Sequence, residues 1–147
     1  MTRTIVLDIE SRPECIELLS GALCGVCHLV LPAVDIAPVN LAMVEAVNNV
    51  VEHAYHGESG HSVRVEFELA PNRLHLRVRD RGEPMAPGRL EAVAALVAPD
   101  PEDPDSLRTR GRGLAIIKSC MDTVNYEARD GVNTLSMSRA LATGEAI

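Results

Sequence analysis

Hydrophobic and polar positions follow a helical period through residues 41–56, LAMVEAVNNVVEHAYH. At about 100° per residue, one side of this helix carries the apolar residues Met43, Val47, Val50 and Ala54. The other side carries a narrow polar stripe of Glu45, Asn49, Glu52 and His56. Such a stripe is usually a solvated face, but no Lys or Arg on this helix pairs with Glu45 or Asn49. A carboxylate can accept a proton and a carboxamide oxygen can bind magnesium, so the stripe is a candidate for chemistry.

The same patterns predict the remaining elements. Alternating apolar and polar residues predict strands at about 4–9, 62–69, 74–80, 124–128 and 134–137. Helical periodicity predicts further helices at about 12–30, 90–97 and 114–121. Pro71-Asn72 and Asp130-Gly131 are expected to form turns between strands. This order predicts an α+β fold, a two-layer sandwich in which a mixed, largely antiparallel sheet carries its helices on one face.

Local signals mark the ends of the first two helices. Ser11-Arg-Pro-Glu14 matches a capping box with Pro in the first turn, so Ser11 is expected to cap the first helix. Asp35 is expected to cap the second helix, which contains residues 41–56. Gly57-Glu-Ser-Gly60 is expected to end it.

Composition narrows the class of protein. The 147 residues are enough for one domain, residues 1–147, and the core must be aliphatic because only 2% of the residues are aromatic. A net charge of −7 argues against non-specific binding of nucleic acid and against binding to an anionic membrane. No apolar run reaches the roughly 20 residues of a membrane span, and the N-terminus does not resemble a signal peptide. We therefore expect a cytoplasmic protein.

The four cysteines are Cys15, Cys24, Cys27 and Cys120. The segment Cys24-Gly-Val-Cys27-His28 matches the pattern of c-type haem attachment, and the Cys pair alone also suggests zinc or redox chemistry. No export signal or second ligand pair accompanies the motif. Since it falls in the middle of a predicted helix, we interpret these cysteines as small core residues.

Two short motifs suggest ligand binding. Asp80-Arg-Gly82 ends a predicted core strand, and its carboxylate can accept a hydrogen bond from the exocyclic amine of adenine, although the same tripeptide is common in turns. Gly111-Arg-Gly113 opens a predicted helix whose backbone N–H groups can bind an anion. The Pro-, Asp- and Arg-rich loop before it, at about 98–112, is expected to be a flexible lid or disordered.

Taken in order, these features resemble the Bergerat-fold ATPases, the group that includes gyrase, histidine kinases, heat-shock chaperones and mismatch-repair proteins. Within that group the chain is similar to the small anti-sigma-factor serine/threonine kinases. The resemblance covers nearly the whole chain. Its most specific parts are the segments EAVNNVVEHAY and RGRGLAIIKSCMDTVNY.

The resemblance implies ATP and Mg²⁺ as cofactors, with defined roles at the reacting end. Glu45 would be the general base that takes a proton from the acceptor hydroxyl. Asn49 would bind Mg²⁺ through its side-chain oxygen, and Gly111 and Gly113 would close over the phosphates. This agrees with the chemistry, because phosphoryl transfer needs positioning and charge neutralisation more than covalent catalysis.

The resemblance also implies roles at the adenine end. Asp80 would accept a hydrogen bond from the adenine amine, Gly82 would leave room for the base and Met85 would line the pocket. Thr134 would support Asp80, although a strand Thr is more often a matter of β-propensity. His53 matches a family position to which we assign no role.

The chain departs from the family pattern in two places. Pro84 stands where a second glycine is expected, so the loop beneath adenine is stiffer. Thr109 stands where some relatives carry an arginine that reaches the terminal phosphate, and Arg108, Arg110 or Arg112 can substitute. We expect these two departures to affect the lid and the rate of phosphoryl transfer more than the binding of nucleotide.

Three functions fit the resemblance. The first is a homodimeric serine/threonine kinase that binds a sigma factor and phosphorylates an anti-sigma-factor antagonist. The second is a nucleotide-gated binding module that switches a partner regulator or phosphatase with little turnover. The third, a detached sensor-kinase domain, ranks lower because no helix pair with a phosphoacceptor histidine is evident. Glu45 favours the first, because a binding module needs no general base.

Overall fold

The computed structural model describes residues 1–93 and 112–142 of the chain. The strands are β1 Arg3–Glu10, β2 Ser62–Leu69, β3 Arg73–Asp80, β4 Thr123–Arg129 and β5 Val132–Ala140. The helices are α1 Pro13–Val30, α2 Ala33–Asn49, α3 Arg89–Ala92 and α4 Gly113–Cys120, and a π turn, Val50–Ala54, continues α2. The predicted helix at 90–97 is thus seen only in part, because residues from 94 onward lie outside the described range.

The five strands form one sheet in the order β1-β2-β3-β5-β4. All four pairings between these strands are antiparallel, so the sheet that the sequence predicts as largely antiparallel is entirely so in the described part of the chain. Asp130 and Gly131 both have positive φ, 53° and 77°, which is the geometry of a tight hairpin turn between β4 and β5. The α+β prediction is confirmed.

The core lies between one face of this sheet and the helices. Alternate residues of β2, β3 and β5 are buried, among them Val65, Leu76 and Met137. The helices contribute further aliphatic side chains to the same cluster: Leu19, Leu23, Val39, Met43, Val47 and Ile117. Burial of aliphatic surface supplies most of the stability of such a fold. It also fixes the register of β3, which determines where Asp80 lies.

The opposite face of the sheet is polar. Arg64 makes two hydrogen bonds to Asp8, at 2.9 and 3.1 Å, across the β1–β2 pairing. Arg77 lies 3.4 Å from Glu68, and Arg79 pairs with Glu66. The Arg64–Asp8 pair is exposed and the other two pairs are partly buried. Exposed ion pairs contribute little stability in water, and we interpret this face as a polar surface.

The predicted capping box at the start of α1 is wrong. The residue before α1 is Arg12, which makes no side-chain cap hydrogen bond. The Ser11 hydroxyl instead donates to the Glu58 carbonyl at 2.8 Å and accepts from the His61 amide at 3.1 Å. The hydroxyl thereby joins the end of β1 to the loop before β2, and this tertiary contact outweighs the local capping motif.

The predicted cap of α2 is also wrong. The helix begins at Ala33, and Asp35 lies within its first turn, only 2% exposed. The Asp35 carboxylate accepts hydrogen bonds from Arg139 Nε at 2.8 Å and from the Ala142 amide at 2.9 Å. A buried carboxylate needs such partners, and here they join the start of α2 to the end of β5.

The end of α2 departs from α-helical geometry. Through Val50–Ala54 the helix widens to a π turn, in which the Tyr55 amide donates to the Val50 carbonyl, five residues earlier. His56 and Gly57 then adopt positive φ and end the helix at the predicted place. The Ala54 carbonyl, at the end of the helix, accepts a hydrogen bond from the Glu83 amide at 2.9 Å.

Two segments, α1 and Ala33–Ala54, are long and apolar enough to span a membrane by length and composition alone, with mean hydropathies of 1.3 and 1.2. The second packs against the sheet, and core helices pass the same test. Helix α1 differs because only 22% of it is buried and Leu18 and Leu29 are 72% and 76% exposed. The outer face of α1 is therefore an exposed apolar surface.

The cysteines are all free thiols in the structure. Cys27 is fully buried in the core, and burial, aided by neighbouring Cys24, raises the pKa of its thiol to about 11. A buried, protonated thiol is a poor nucleophile and a poor metal ligand. The interpretation as a core residue is thus confirmed for Cys27, whereas Cys24 is only partly buried.

Candidate functional site

A cavity of about 360 Å³ opens between α2, the loop after β3, and α4. Its apolar walls are formed by Ala46, Val50, Val78, Met85, Leu114 and Leu135. Its polar groups include Asn49, Asp80, Tyr126 and, at the mouth, His53, His56 and Glu83. An apolar slot with a few fixed polar groups is the usual form of a small-molecule site, and it suits a planar heterocycle.

Asp80 is the buried acid of this cavity, 6% exposed at the end of β3. Its Oδ1 atom accepts hydrogen bonds from the Gly82 amide at 2.9 Å and from Asn133 Nδ2 at 2.8 Å. Burial raises the pKa of Asp80, while these two hydrogen bonds lower it. Because both described donors bind Oδ1, Oδ2 remains available to an N–H donor on a ligand.

The residue of β5 that supports Asp80 is Asn133, and the prediction for Thr134 is wrong. Asn133 is the pairing partner of Asp80, whereas Thr134 pairs with Arg79 on the other face of the sheet. Asn133 Nδ2 also donates to the Gly82 carbonyl at 2.9 Å. The sequence contains the signal for this: Leu135 and Met137 face the core, so period-two alternation places Asn133 with them.

Gly82 is required by its contact with the helix. A Cβ atom added at Gly82 would lie 2.4 Å from the carbonyl oxygen and 2.8 Å from the Cβ of Ala54. Only glycine lets the loop approach the π turn this closely. This contact between the loop and the end of α2 is a second reason for glycine here, and the predicted reason, room for a base, stays a prediction.

Met85 lines the cavity, as predicted. Its amide donates to the Tyr126 hydroxyl at 2.8 Å. Tyr126 comes from β4, and its side chain was not among the predicted site residues. Its place in β4, paired with the inward-facing Leu135, is the sequence signal that points it into the cavity.

The reacting end of the predicted site also comes together. A Cβ atom added at Gly113, the first residue of α4, would lie 3.1 Å from Glu45 Oε2 and 3.2 Å from Asn49 Oδ1. The polar stripe of α2 thus faces the start of α4. Burial raises the pKa of Glu45, and the negative charge of Glu52 raises it further. A carboxylate with a raised pKa is a stronger base.

Asn49 has hydrogen-bonding capacity to spare. Its Nδ2 atom is buried without a hydrogen-bond partner among the described residues. An orphaned buried amide is costly, which is the arrangement expected of a side chain whose partner is a ligand. Within residues 1–93 and 112–142, no three His, Cys, Asp or Glu side chains form a metal site by themselves. The orphaned Nδ2 is an N–H donor and suits an acceptor such as a phosphate oxygen. Oδ1 of the same amide faces Gly113 and is the kind of oxygen that Mg²⁺ takes together with water and phosphate ligands.

Some predicted residues lie outside the described range: Gly111, the loop residues 98–111, and with them Arg108, Thr109 and Arg110. Arg112 is described and immediately precedes α4. At the cavity mouth His56 Nε2 lies 2.6 Å from Glu83 Oε2, joining the helix end to the loop after β3. His53 lines the mouth beside them.

Comparisons with known proteins agree with this architecture. The family model of the histidine kinase-like ATPase domain matches residues 9–139. A crystal structure of the RsbU and RsbW domains of a Mycobacterium tuberculosis protein superposes with a TM-score of 0.65, at 18% identity. The match covers 95% of this chain and 32% of that one, and it shows a shared fold.

Several curated relatives carry the name serine-protein kinase RsbW. The Listeria innocua protein is 29% identical over 134 residues, which cover 89% of this chain and 83% of the relative. The Oceanobacillus iheyensis protein is 28% identical over 144 residues, covering 96% and 89%. The Staphylococcus epidermidis protein is 33% identical over 138 residues, covering 90% and 84%. The chain therefore belongs to the histidine kinase-like ATPase family, and within it to the group of the RsbW serine-protein kinases.

Proposed function

We propose that this chain is an ATP-dependent protein serine/threonine kinase that acts as an anti-sigma factor and phosphorylates an anti-sigma-factor antagonist. The relatives named serine-protein kinase support the activity. The observation that carries the proposal is that Asn49, which lines the same cavity as Asp80, meets Glu45 at Gly113, the first residue of α4. A base, a metal ligand and a helix N-terminus at one place are the parts that phosphoryl transfer to a hydroxyl requires.

The adenine end binds and orients the nucleotide. Oδ2 of Asp80 accepts a hydrogen bond from the exocyclic amine of the base, since Oδ1 is already bound by Gly82 and Asn133. The apolar walls exclude water from both faces of the ring. Guanine presents a carbonyl at the position of the adenine amine, and two acceptors cannot pair. The site therefore selects adenine nucleotides.

The other end supports the transfer. Backbone N–H groups at the start of α4 can bind phosphate oxygens, and Oδ1 of Asn49, which faces Gly113, is the atom that would hold Mg²⁺. When bound, Mg²⁺ supplies positive charge at the phosphates. Glu45 accepts the proton of the acceptor hydroxyl, and its raised pKa suits that role.

We also infer that the protein is a cytoplasmic homodimer whose partners are a sigma factor and the antagonist, with no direct role for nucleic acid or membrane. The outer face of α1 supports a dimer. It exposes an apolar line with the spacing 4-3-4: Leu18, Ala22, Gly25 and Leu29. This spacing is typical of a helix that packs along another helix. Leu29→Glu should shift the protein from dimer to monomer in multi-angle light scattering, and a monomeric wild type would contradict the dimer.

The first experiment is affinity capture of the tagged protein from its own cell extract with Mg²⁺ and ATP, followed by mass spectrometry. Recovery of a sigma factor and of a small protein newly phosphorylated on Ser or Thr is the expected result. The Asp80→Asn variant should lose ADP binding by about two orders of magnitude and should lose the phosphorylation, because its amide presents donors to the adenine amine. Recovery of a regulator or phosphatase without phosphorylation would instead favour the nucleotide-gated binding module.

A further inference from the structure

The loop 81–85 between β3 and α3 forms one wall of the cavity. Four of its five residues have a backbone N–H, and Pro84 has none. All four N–H groups donate to the protein at 2.8–2.9 Å, to Tyr55, Asp80, Ala54 and Tyr126 in chain order. An irregular loop rarely has every donor satisfied by the protein itself, so this wall is preformed without any ligand.

Two of these acceptors are tyrosine hydroxyls, and the two tyrosines differ in their other contacts. The Tyr55 hydroxyl, which holds the Arg81 amide, also donates to the Ser62 carbonyl at 2.7 Å, and its ring stacks on His61, outside the cavity. Tyr126 has its side chain in the cavity wall, and its hydroxyl holds Met85, the next wall residue. Tyr126, unlike Tyr55, therefore connects β4, the edge strand of the sheet, to the wall of the cavity.

The sheet register gives the relation of Tyr126 to Asp80. Val78, Leu135 and Tyr126 form one row across β3, β5 and β4, and Asp80 lies two residues further along β3, on the same face of the sheet. Adjacent strands are about 4.8 Å apart, so Tyr126 and Asp80 lie on opposite sides of Leu135, on the floor of the cavity. A base held by Asp80 would therefore occupy the same cavity as the wall that Tyr126 fixes.

We propose that Tyr126 is a positioning residue for the nucleotide base, which it serves by holding the Met85 wall through the backbone amide. The proposal rests on the proposed nucleotide function of the site. The proposal concerns a single hydrogen bond. Removal of the Tyr126 hydroxyl leaves the Met85 N–H without an acceptor, and this N–H lies beside the apolar slot that the base must fill. The phosphate and Mg²⁺ end lies on other elements, α2 and α4, and does not depend on this contact.

Calorimetric titration of ADP into the full chain, with and without Mg²⁺, tests the proposal. Tyr126→Phe should weaken ADP binding about five- to tenfold, the loss expected for one hydrogen bond. The factor by which Mg²⁺ strengthens ADP binding should stay at the wild-type value, because the metal end is untouched. Thr123→Val is the matched control: it removes a hydroxyl from the same strand, 2.5 Å from Ser138 and away from the cavity lining, and should bind ADP as the wild type does.

Three outcomes would overturn the proposal. One is wild-type ADP affinity in Tyr126→Phe; another is an equal loss in the Thr123→Val control; the third is a fall in the Mg²⁺ factor, which would indicate general distortion. Hydrogen exchange of the Met85 amide in the unliganded wild type gives a test that does not depend on the variant's folding. Rapid exchange, as in an exposed loop, would refute the contact. A wild type that binds no ADP would instead refute the proposed nucleotide function and this proposal with it.

Discussion

Asn133 Nδ2 lies 2.8 Å from Asp80 Oδ1, and the same amide nitrogen lies 2.9 Å from the Gly82 carbonyl. One side chain of β5 therefore holds both the acid of the cavity and the loop that follows it. This contact leaves the second oxygen of Asp80 for a ligand. It also replaces the role that the sequence assigned to Thr134.

Asn133→Ala removes both of these hydrogen bonds and leaves the buried Asp80 carboxylate with one donor fewer. We expect the free energy of unfolding to fall by about 2 kcal/mol and ADP binding to weaken about tenfold. Chemical denaturation and calorimetry measure the two effects. Thr134→Ala, one residue along on the opposite face of the sheet, should change the ADP affinity by less than about twofold. If the Thr134 variant loses more affinity than the Asn133 variant, the assignment of Asn133 is wrong.

Glu45→Gln preserves the shape of the side chain and removes its basicity. We expect ADP and ATP binding close to wild type, and transfer to the antagonist slower by about 10²- to 10⁴-fold, the usual contribution of a general base. Single-turnover phosphorylation of the purified antagonist measures this. Glu52→Gln, on the same polar stripe, serves as the control and should retain transfer at neutral pH. Transfer at the wild-type rate by Glu45→Gln would show that another group takes the proton.

The pH dependence of transfer has a predicted direction. Burial, and then the charge of Glu52, raise the pKa of Glu45 above its ordinary value of 4.5. Because the base must be ionised, the transfer rate should fall as the pH falls through this raised pKa. Removing the Glu52 charge should move that limb of the pH–rate profile to lower pH. If the pH–rate profile of Glu52→Gln falls at the same pH as that of the wild type, or at a higher pH, the two carboxylates are not electrostatically coupled.

Gly82→Ala tests the contact between the loop and the π turn. The new Cβ atom would lie 2.4 Å from the Ala54 carbonyl oxygen, so the loop must move. We expect a loss of stability of about 1–3 kcal/mol and weaker ADP binding. Gly21→Ala is the matched control, because a Cβ atom at this helical position meets nothing within 4 Å, and it should be neutral or slightly stabilising. Equal thermal stability of the two variants would argue against the contact.

Much of the fold follows from side-chain alternation. The strand prediction at 62–69 coincides with β2, and 74–80 misses only Arg73 of β3, because one buried face fixes which residues point inward. That register also places Asp80 at the end of β3 without any knowledge of the ligand. The local capping motifs were less reliable. Ser11 and Asp35 both have the right residue type, but His61 and Arg139 engage their side chains from distant parts of the chain.

The candidate site was predictable where its residues lie on one element and less so where elements meet. Glu45 and Asn49 share a helix face, so their proximity follows from periodicity. Tyr126 enters the site because β5 lies between β3 and β4. The Asp130-Gly131 turn predicts that β4 pairs with β5, but no local pattern predicts that β5 pairs with β3. The π turn was missed for a similar reason: the apolar positions across residues 41–56 still fall on one side, and only the hydrogen bond from Tyr55 to Val50 shows the extra residue.

Because of the π turn, the number of residues in this helix affects the geometry of the site. A π turn accommodates one residue more than an α-helical turn would, so deleting a single residue within 50–54 allows ordinary α-helical winding. The chain after the deletion would keep nearly its present direction relative to Asn49, because a π turn holds its extra residue within one turn. The deletion would remove only the local widening at Ala54, whose carbonyl accepts the Glu83 amide. The extra residue therefore serves the contact between the helix and the loop after β3, and deleting it should weaken nucleotide binding while the helix itself stays folded.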